Sequence, residues 1–315
     1  MKLSFVIPCY RSEKTIEAVV NEIQNTVRQR PEFSYEIILV NDCSPDNVQQ
    51  VIEKLCHDNP TTVFGIELAR NFGQHAAILS GYHYITGDVV YSIDDDGQAP
   101  VEAIFPILDK LNEGYDIVWG CYDNIKQNFF RRIGSSVNGF MAEKLIGKPR
   151  NIQITSFRVA RRFVIDEVIR YDNSFPYLLG LLLRTTSHIA NFPVKHRSRM
   201  EGKSGYTIKK LLRLWLNGFT MFSVKPLRFA SMMGFVFSGL GFVFMAVIIL
   251  RKILHPSMAM GYASIMSIIL FVGGLIMLLL GMMGEYIGRI YICQNKAPQS
   301  VIRTKIGLDD SEEKK

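Results

Sequence analysis

Residues 88–100 read DVVYSIDDDGQAP, and the fold turns on this stretch. The apolar run Asp88 to Ile93 predicts a buried strand, and it passes directly into three consecutive carboxylates, Asp94, Asp95 and Asp96. Working outward, the same pattern of apolar strand followed by polar turn recurs upstream. Leu3 to Ile7 is an apolar run stopped by Pro8 and followed by Tyr10, and Tyr35 to Val40 (YEIILV) leads into Asn41 and Asp42. Helical periodicity separates these runs. A helix from about Glu13 to Arg28, capped by Ser12, carries Ile16, Val19, Val20, Ile23 and Val27 on one face. Further helices are expected over Val48–Cys56, Asn71–Thr86 and Val101–Asn112, with strands at Val63–Leu68 and Asp116–Gly120. Such alternation predicts an α/β domain with a mostly parallel sheet covered on both faces. Ligands of such sheets bind beyond the carboxyl ends of the strands. Pro8–Tyr10, Asn41–Asp42 and Asp94–Asp96 therefore belong on one rim. No G-x-G-x-x-G follows the first strand and no G-x-x-x-x-G-K-[ST] occurs, which removes support for dinucleotide and P-loop chemistry.

Three adjacent carboxylates repel one another unless a cation joins them. A hard divalent ion, Mg²⁺ or Mn²⁺, takes oxygen ligands and commonly bridges one or two carboxylates to substrate phosphates. If the strand geometry persists, Asp94 and Asp96 share a side, with Asp95 opposite and Gln98 continuing the first face. The competing reading is an acidic turn that caps the helix starting near Val101.

Composition sets the wider frame. With 48% hydrophobic and 21% charged residues in 315, the chain is not disordered. Its five cysteines form no C-x-x-C pair, as expected for reduced thiols, and the first ten residues lack the apolar run of a secretory signal. Mean hydropathy is nevertheless +0.12, because apolarity is concentrated near the C-terminus. Residues 229–250 contain no charge in 22 positions, and residues 253–284 none in 32, of which 262–283 read as a second span. A bilayer core needs about 20 apolar residues per helix. The net charge of +7 is also localised. Lys195, Arg197, Arg199, Lys203, Lys209, Lys210, Arg213, Lys225 and Arg228 face only Glu201 between Pro193 and Arg228. Basic flanks remain cytoplasmic and attract anionic headgroups. Their position beside the spans favours membrane lipid over nucleic acid. Thr207 to Phe222 (TIKKLLRLWLNGFTMF) combines a broad apolar face with Lys209, Lys210 and Arg213, as a helix lying in the interface plane would; an ordinary amphipathic helix packed on the domain is the alternative.

An ordered set of motifs spans nearly the whole chain: VIPCY at 6–10, VNDCSPD at 40–46, ARNFGQHAAILSG at 69–81, DDDGQAP at 94–100, RSRMEGKSGY at 197–206 and GEYIGRIY at 284–291. With these the sequence resembles glycosyltransferase family 2, in the polyprenyl-phosphate branch that includes dolichyl-phosphate mannose synthase and the bacterial undecaprenyl-phosphate sugar transferases. Within that branch it is most similar to the aminoarabinose-transferring group. The resemblance implies a GT-A type nucleotide-diphospho-sugar transferase domain over 1–206, an interfacial segment at 207–228, a two-helix transmembrane hairpin at 229–284 and a tail at 285–315. Domain and tail would both lie on the cytoplasmic side of the inner membrane. It also implies an inverting, metal-dependent transfer of one sugar from a nucleotide-sugar to polyprenyl phosphate. Pro8 and Tyr10 match the loop packed on the nucleotide base, and Asp42 the acid that contacts base or ribose. Asp94, Asp96 and Gln98 match the acidic motif that holds metal and diphosphate, and Asp95 within it is assigned to nucleotide-sugar binding. Arg131 and Ser135 resemble an acceptor-phosphate site, and Arg199, Ser204 and Tyr206 match the R-x-x-G-x-S-K-Y loop that covers the active site.

The chain departs from that pattern at Arg11 (usually Asn), Cys43 (Gly), Gly97 (Leu), Gly205 (Lys) and Ser156, where an Asp often proposed as a base is usual. A phosphate monoester carries about −1.5 to −2 charges at pH 7 and attacks without losing a proton, whereas a hydroxyl acceptor benefits from a base. Ser156 thus weighs towards a phosphate acceptor. Transfer to a hydroxyl of a glycolipid or polysaccharide precursor, and a non-catalytic membrane subunit, remain as alternatives. Self-association into a homo-oligomer, the sugar and the nucleotide base are left open by the sequence.

Overall fold

The computed structural model describes residues 1–122, 149, 152–172, 177–195, 261–295 and 298–308, with part of 232–254. The chain divides into two units, Met1–Ile208 with Lys296–Lys315, and Lys209–Asn295. In the first, strands β1 (Lys2–Cys9), β2 (Ser34–Asn41), β3 (Val63–Leu68), β4 (Val89–Ser92), β5 (Ile117–Tyr122), β6 (Arg158–Arg161), β7 (Ile189–Val194) and β8 (Ile302–Ile306) form one sheet, in the order β7-β5-β6-β4-β1-β2-β3-β8. Only β6 and β8 run against the common direction. The sheet is therefore mostly parallel, as the alternation predicts.

Helices α1 (Ile16–Val27), α2 (Val48–Asp58) and α4 (Ile104–Asn112, entered through a 3₁₀ turn at Val101–Ala103) bury one face of the sheet. Helices α3 (Gln74–Tyr82), α5 (Arg162–Ile169) and α6 (Leu178–Thr185) bury the other. Strand alternation sorts the core: Phe5, Ile7, Ile37 and Leu39 face the first layer, and Val6, Ile38 and Val40 the second. The five apolar positions expected on α1 are all buried, although Thr15 rather than Ser12 holds the cap position. The main-chain oxygen of Ser12 instead receives the N–H groups of Thr15 and Ile16.

Helix α3 starts three residues later than its periodicity suggests. The amides of Phe72 and Gly73 donate to the Asp42 carboxylate at 2.7 and 2.8 Å, and Gly73 has φ +91, a left-handed conformation that glycine adopts without strain. Strands β6, β7 and β8 have no counterpart in the sequence reading. The residues of β8 lie in the segment read as a tail, yet they pair antiparallel with β3 and form the sheet edge. Pro193 in β7 and the charged Arg303 and Lys305 in β8 blunt the two edges.

The second unit contains α7 (Tyr262–Gln294), which starts where the second span was expected and continues past Met283. Its 33 residues make a rod of about 50 Å, longer than a hydrocarbon core of about 30 Å. Among the described residues it is the one helix long and apolar enough to cross a membrane. Residues 232–237 are helical too, and the Phe237 ring meets Phe271 edge-on at 5.5 Å. The expected interfacial segment 207–228 lies outside the described residues.

Candidate active site

Three strand ends meet on the predicted rim. Cys9 of β1 pairs with Asn41 of β2, and the Asp42 amide donates to the Cys9 carbonyl at 3.1 Å. Strand β4, on the other side of β1, ends at Ser92. The alternation that would put Asp94 and Asp96 on one side therefore does not extend to the acids; a set of hydrogen bonds distributes them instead. Asp95 is tied to the β1 loop: its Oδ2 accepts the Tyr10 N–H at 2.9 Å, and its carbonyl accepts the Thr15 hydroxyl at 2.7 Å. Asp94 Oδ1 accepts Gln74 Nε2 at 2.7 Å. Asp96 Oδ1 accepts the Gln98 N–H at 3.0 Å, closing a turn in which Gly97 has φ +70. A leucine would be strained in that left-handed conformation.

Ser156 comes from the segment that leads into β6. The antiparallel β4–β6 pairing ends at Ser92 opposite Arg158, which brings the residues before Arg158 to the side of the acids. The Ser156 hydroxyl lies near enough to Asp94 to favour the charged carboxylate. Burial pushes the pKa of Asp94 up; the Ser156 hydroxyl opposes this, Asp96 adds to it, and Arg158 and Gln74 oppose it. Burial likewise pushes Asp95 up to about 6, against the Tyr10 amide. Burial, and then the charges of Asp94 and Asp96, push the Tyr122 phenol up to about 12, so it stays neutral beside the acids. Arg158 is buried with Nη2 3.3 Å from the Tyr82 hydroxyl, and its charge partly balances Asp94.

These residues fit a hard divalent cation. The donors are oxygens only, the charge of Asp96 raises the pKa of Asp94, those of Asp94 and Asp96 raise that of Asp95, and a cation would offset that repulsion. Among the described residues no three His, Cys, Asp or Glu side chains converge on one point. Asp94 and Asp96 can supply one or two ligands, and phosphate oxygens and water would complete the set, the usual arrangement for Mg²⁺ with a diphosphate.

Of the residues singled out by sequence, Pro8 is buried within β1, Tyr10 is exposed at its end, and Asp42, Asp94, Asp95, Asp96 and Gln98 lie on the rim. Both Asp42 oxygens accept main-chain amides, and burial pushes its pKa up against them. Arg131, Ser135, Arg199, Ser204 and Tyr206 lie outside the described residues. The sequence reading missed Gln74, Tyr122 and Arg158 as neighbours of the acids. Gln74 lies inside the ARNFGQHAAILSG motif, so a signal existed. Arg158 follows the Ser156 position in the same segment and comes in on β6, whereas Tyr122, at the end of β5, had no signal. Two rim residues without glycine's freedom, Arg11 (φ +59) and Cys43 (φ +50), hold left-handed backbone.

A rim of carboxylates beyond the strand ends lies where open, mostly parallel sheets bind their ligands. The model of glycosyl transferase family 2 matches residues 4–169, and that of the GtrB C-terminal hairpin matches residues 225–290. The chain belongs to glycosyl transferase family 2. It is 30% identical to an uncharacterized glycosyltransferase, YkcC, of Bacillus subtilis (strain 168), over 98% of this chain and 96% of that protein. It is also 30% identical to the undecaprenyl-phosphate 4-deoxy-4-formamido-L-arabinose transferase of Yersinia pestis (strain Pestoides F), over 99% of this chain and 95% of that one. The crystal structure of glucosyl-3-phosphoglycerate synthase from Mycobacterium tuberculosis, in complex with Mn²⁺, uridine diphosphate and phosphoglyceric acid, superposes with a TM-score of 0.52 at 18% identity. It covers 70% of this chain and 76% of that one, a likeness of fold.

Proposed function

We propose that this glycosyltransferase moves one sugar, with inversion, from a nucleotide-sugar to a polyprenyl phosphate of the undecaprenyl type. The work would be done at the cytoplasmic face of the inner membrane. The observation that carries the reading is the convergence of Tyr10, Asp42 and Asp94–Asp96 on one rim, in a chain that also has a long apolar helix. The Yersinia relative, similar over nearly its whole length, supports the acceptor class. An acceptor phosphate oxygen would form the new bond to the anomeric carbon as the bond from that carbon to the diphosphate oxygen breaks. The electron pair leaves with the nucleoside diphosphate. Bound Mg²⁺ or Mn²⁺ would supply charge stabilisation on that leaving group.

This chain's residues would bind and orient. Pro8, Tyr10 and Asp42 would receive the nucleoside; Asp94 and Asp96, with Gln98 beside them, would hold the metal. Arg131, Ser135, Arg199, Ser204 and Tyr206 would grip the acceptor phosphate, where paired guanidinium hydrogen bonds suit a dianion. The exposed apolar side chains of α7, among them Phe271, Met277 and Leu280, suit contact with lipid. The hairpin, the interfacial segment 207–228 and a cytoplasmic C-terminus belong to the same proposal. The test incubates purified protein with undecaprenyl phosphate and a panel of nucleotide-sugars, and reads the lipid products by mass spectrometry. A single sugar joined through phosphate is expected. A hydroxyl-linked glycan, or no product from any donor, would overturn the proposal.

A further inference from the structure

Resting on the metal-binding role proposed for Asp94, we infer that Gln74 is the positioning residue for that carboxylate. The turn that carries Gln74 is fixed from three sides. The Ala69 N–H donates to the Val301 carbonyl at 2.8 Å, just ahead of β8. The Phe72 and Gly73 amides are held by the two oxygens of Asp42. The Gly73 carbonyl accepts the Ala77 N–H at 3.0 Å and starts α3. Gln74 therefore leaves a rigid base, and its amide meets Asp94 Oδ1 at 2.7 Å.

The chemistry of the donor matters as much as its placement. An amide N–H is neutral, so it fixes the plane of the carboxylate without cancelling the charge that a cation needs. A carboxylate left to rotate must lose that freedom when the ion arrives, which weakens binding. The same turn ties Asp42, at the end of β2, to Asp94, beyond the end of β4. The short run Phe72–Gln74 thus sets the spacing between the acid assigned to the nucleoside and the acid assigned to the metal. The hydroxyl of Ser156, ahead of β6, is a second neutral group that favours the charged form of Asp94.

Removing a group hydrogen-bonded to a metal ligand typically costs 10–100-fold in metal affinity. With Ser156 still in place, Gln74→Met, which keeps length and volume but has no donor, should weaken Mn²⁺ binding about 10-fold. Mn²⁺ is titrated against the full-length protein in detergent, with free ion read by electron paramagnetic resonance. UDP binding in EDTA and the melting temperature should stay at wild-type values. In turnover, the Mn²⁺ concentration for half-maximal rate should rise by the same factor, while the rate at saturating Mn²⁺ returns to within about threefold of wild type. Gln74→Asn, one methylene too short, should behave like Gln74→Met. Unchanged Mn²⁺ affinity in both variants would overturn the inference. So would a joint fall of Mn²⁺ affinity, metal-free UDP affinity and melting temperature, which marks a purely structural role. None of the binding readouts uses the lipid acceptor, so failure of the acceptor proposal leaves this test intact.

Discussion

Ser156→Ala separates two accounts of how the acceptor is activated. If a side chain at this position took a proton from the acceptor, its removal would lower kcat by about 10²–10⁴. The structure gives Ser156 another task, favouring the charged form of Asp94, which also receives Gln74 Nε2 at 2.7 Å and the charge of Arg158. Losing one of these supports should lower kcat less than tenfold at saturating Mn²⁺, because an ionised lipid phosphate needs no base. The reverse change sharpens the point. Ser156→Asp would put a second carboxylate beside Asp94. At about 4 Å and an effective dielectric of about 20, that repulsion is about 4 kcal/mol. The variant should gain no rate and should melt lower in EDTA than in Mn²⁺. Single-turnover rates over pH 5–8 provide the assay. Wild type and Ser156→Ala should share an acidic limb near the phosphate's second pKa of about 6. A further limb caused by metal loss would move with Mn²⁺ concentration, and the phosphate limb would not. A kcat loss of about 100-fold or more in Ser156→Ala, with Mn²⁺ and acceptor binding unchanged, would refute the reasoning.

Asp96→Asn should abolish most turnover with folding intact, because an amide is a poorer ligand for a hard cation; wild-type activity that survives EDTA would remove the metal assignment. Arg199→Ala should raise the KM for polyprenyl phosphate far more than the donor dissociation constant, and calorimetry showing the reverse pattern would move Arg199 to the donor site. Glu36 lies at the far end of the sheet, where burial raises its pKa but Lys2, Ser4 and Thr86 outweigh it, leaving it below the ordinary 4.5. Its stabilisation is therefore complete above pH 4.5 and fades as pH falls through the depressed value; Glu36→Gln should flatten the acid side of the melting curve, and an unchanged acid midpoint would contradict this. Arg11→Asn should stabilise the protein by about 0.5–1 kcal/mol, because asparagine tolerates the left-handed backbone better. A lower melting temperature would show that the arginine side chain contributes more than its backbone strain takes away.

The sequence by itself determined the layered α/β core and the rim. Local periodicity places Ile16, Val19, Val20, Ile23 and Val27 on one helix face, and apolar runs that end in polar residues mark the strand ends. Because parallel neighbours end on the same side, reading those ends was enough to gather Tyr10, Asp42 and Asp94–Asp96. The apolar run from Tyr262 was equally legible, since length and hydropathy are local properties. Only the tertiary structure decided the partners of each acid. Antiparallel β6 slots between β4 and β5, and this placement, rather than any spacing readable along the chain, brings the segment ahead of it, with Ser156, to Asp94. Asp42 draws two amides out of α3 and so delays the helix until Gln74 can reach Asp94. Strand β8 joins the sheet after the long apolar helix because β3 still offered an unpaired edge. Propensity and periodicity act over a few residues, whereas hydrogen-bond demand at a sheet edge or around a buried carboxylate is met by whichever segment the whole fold brings there.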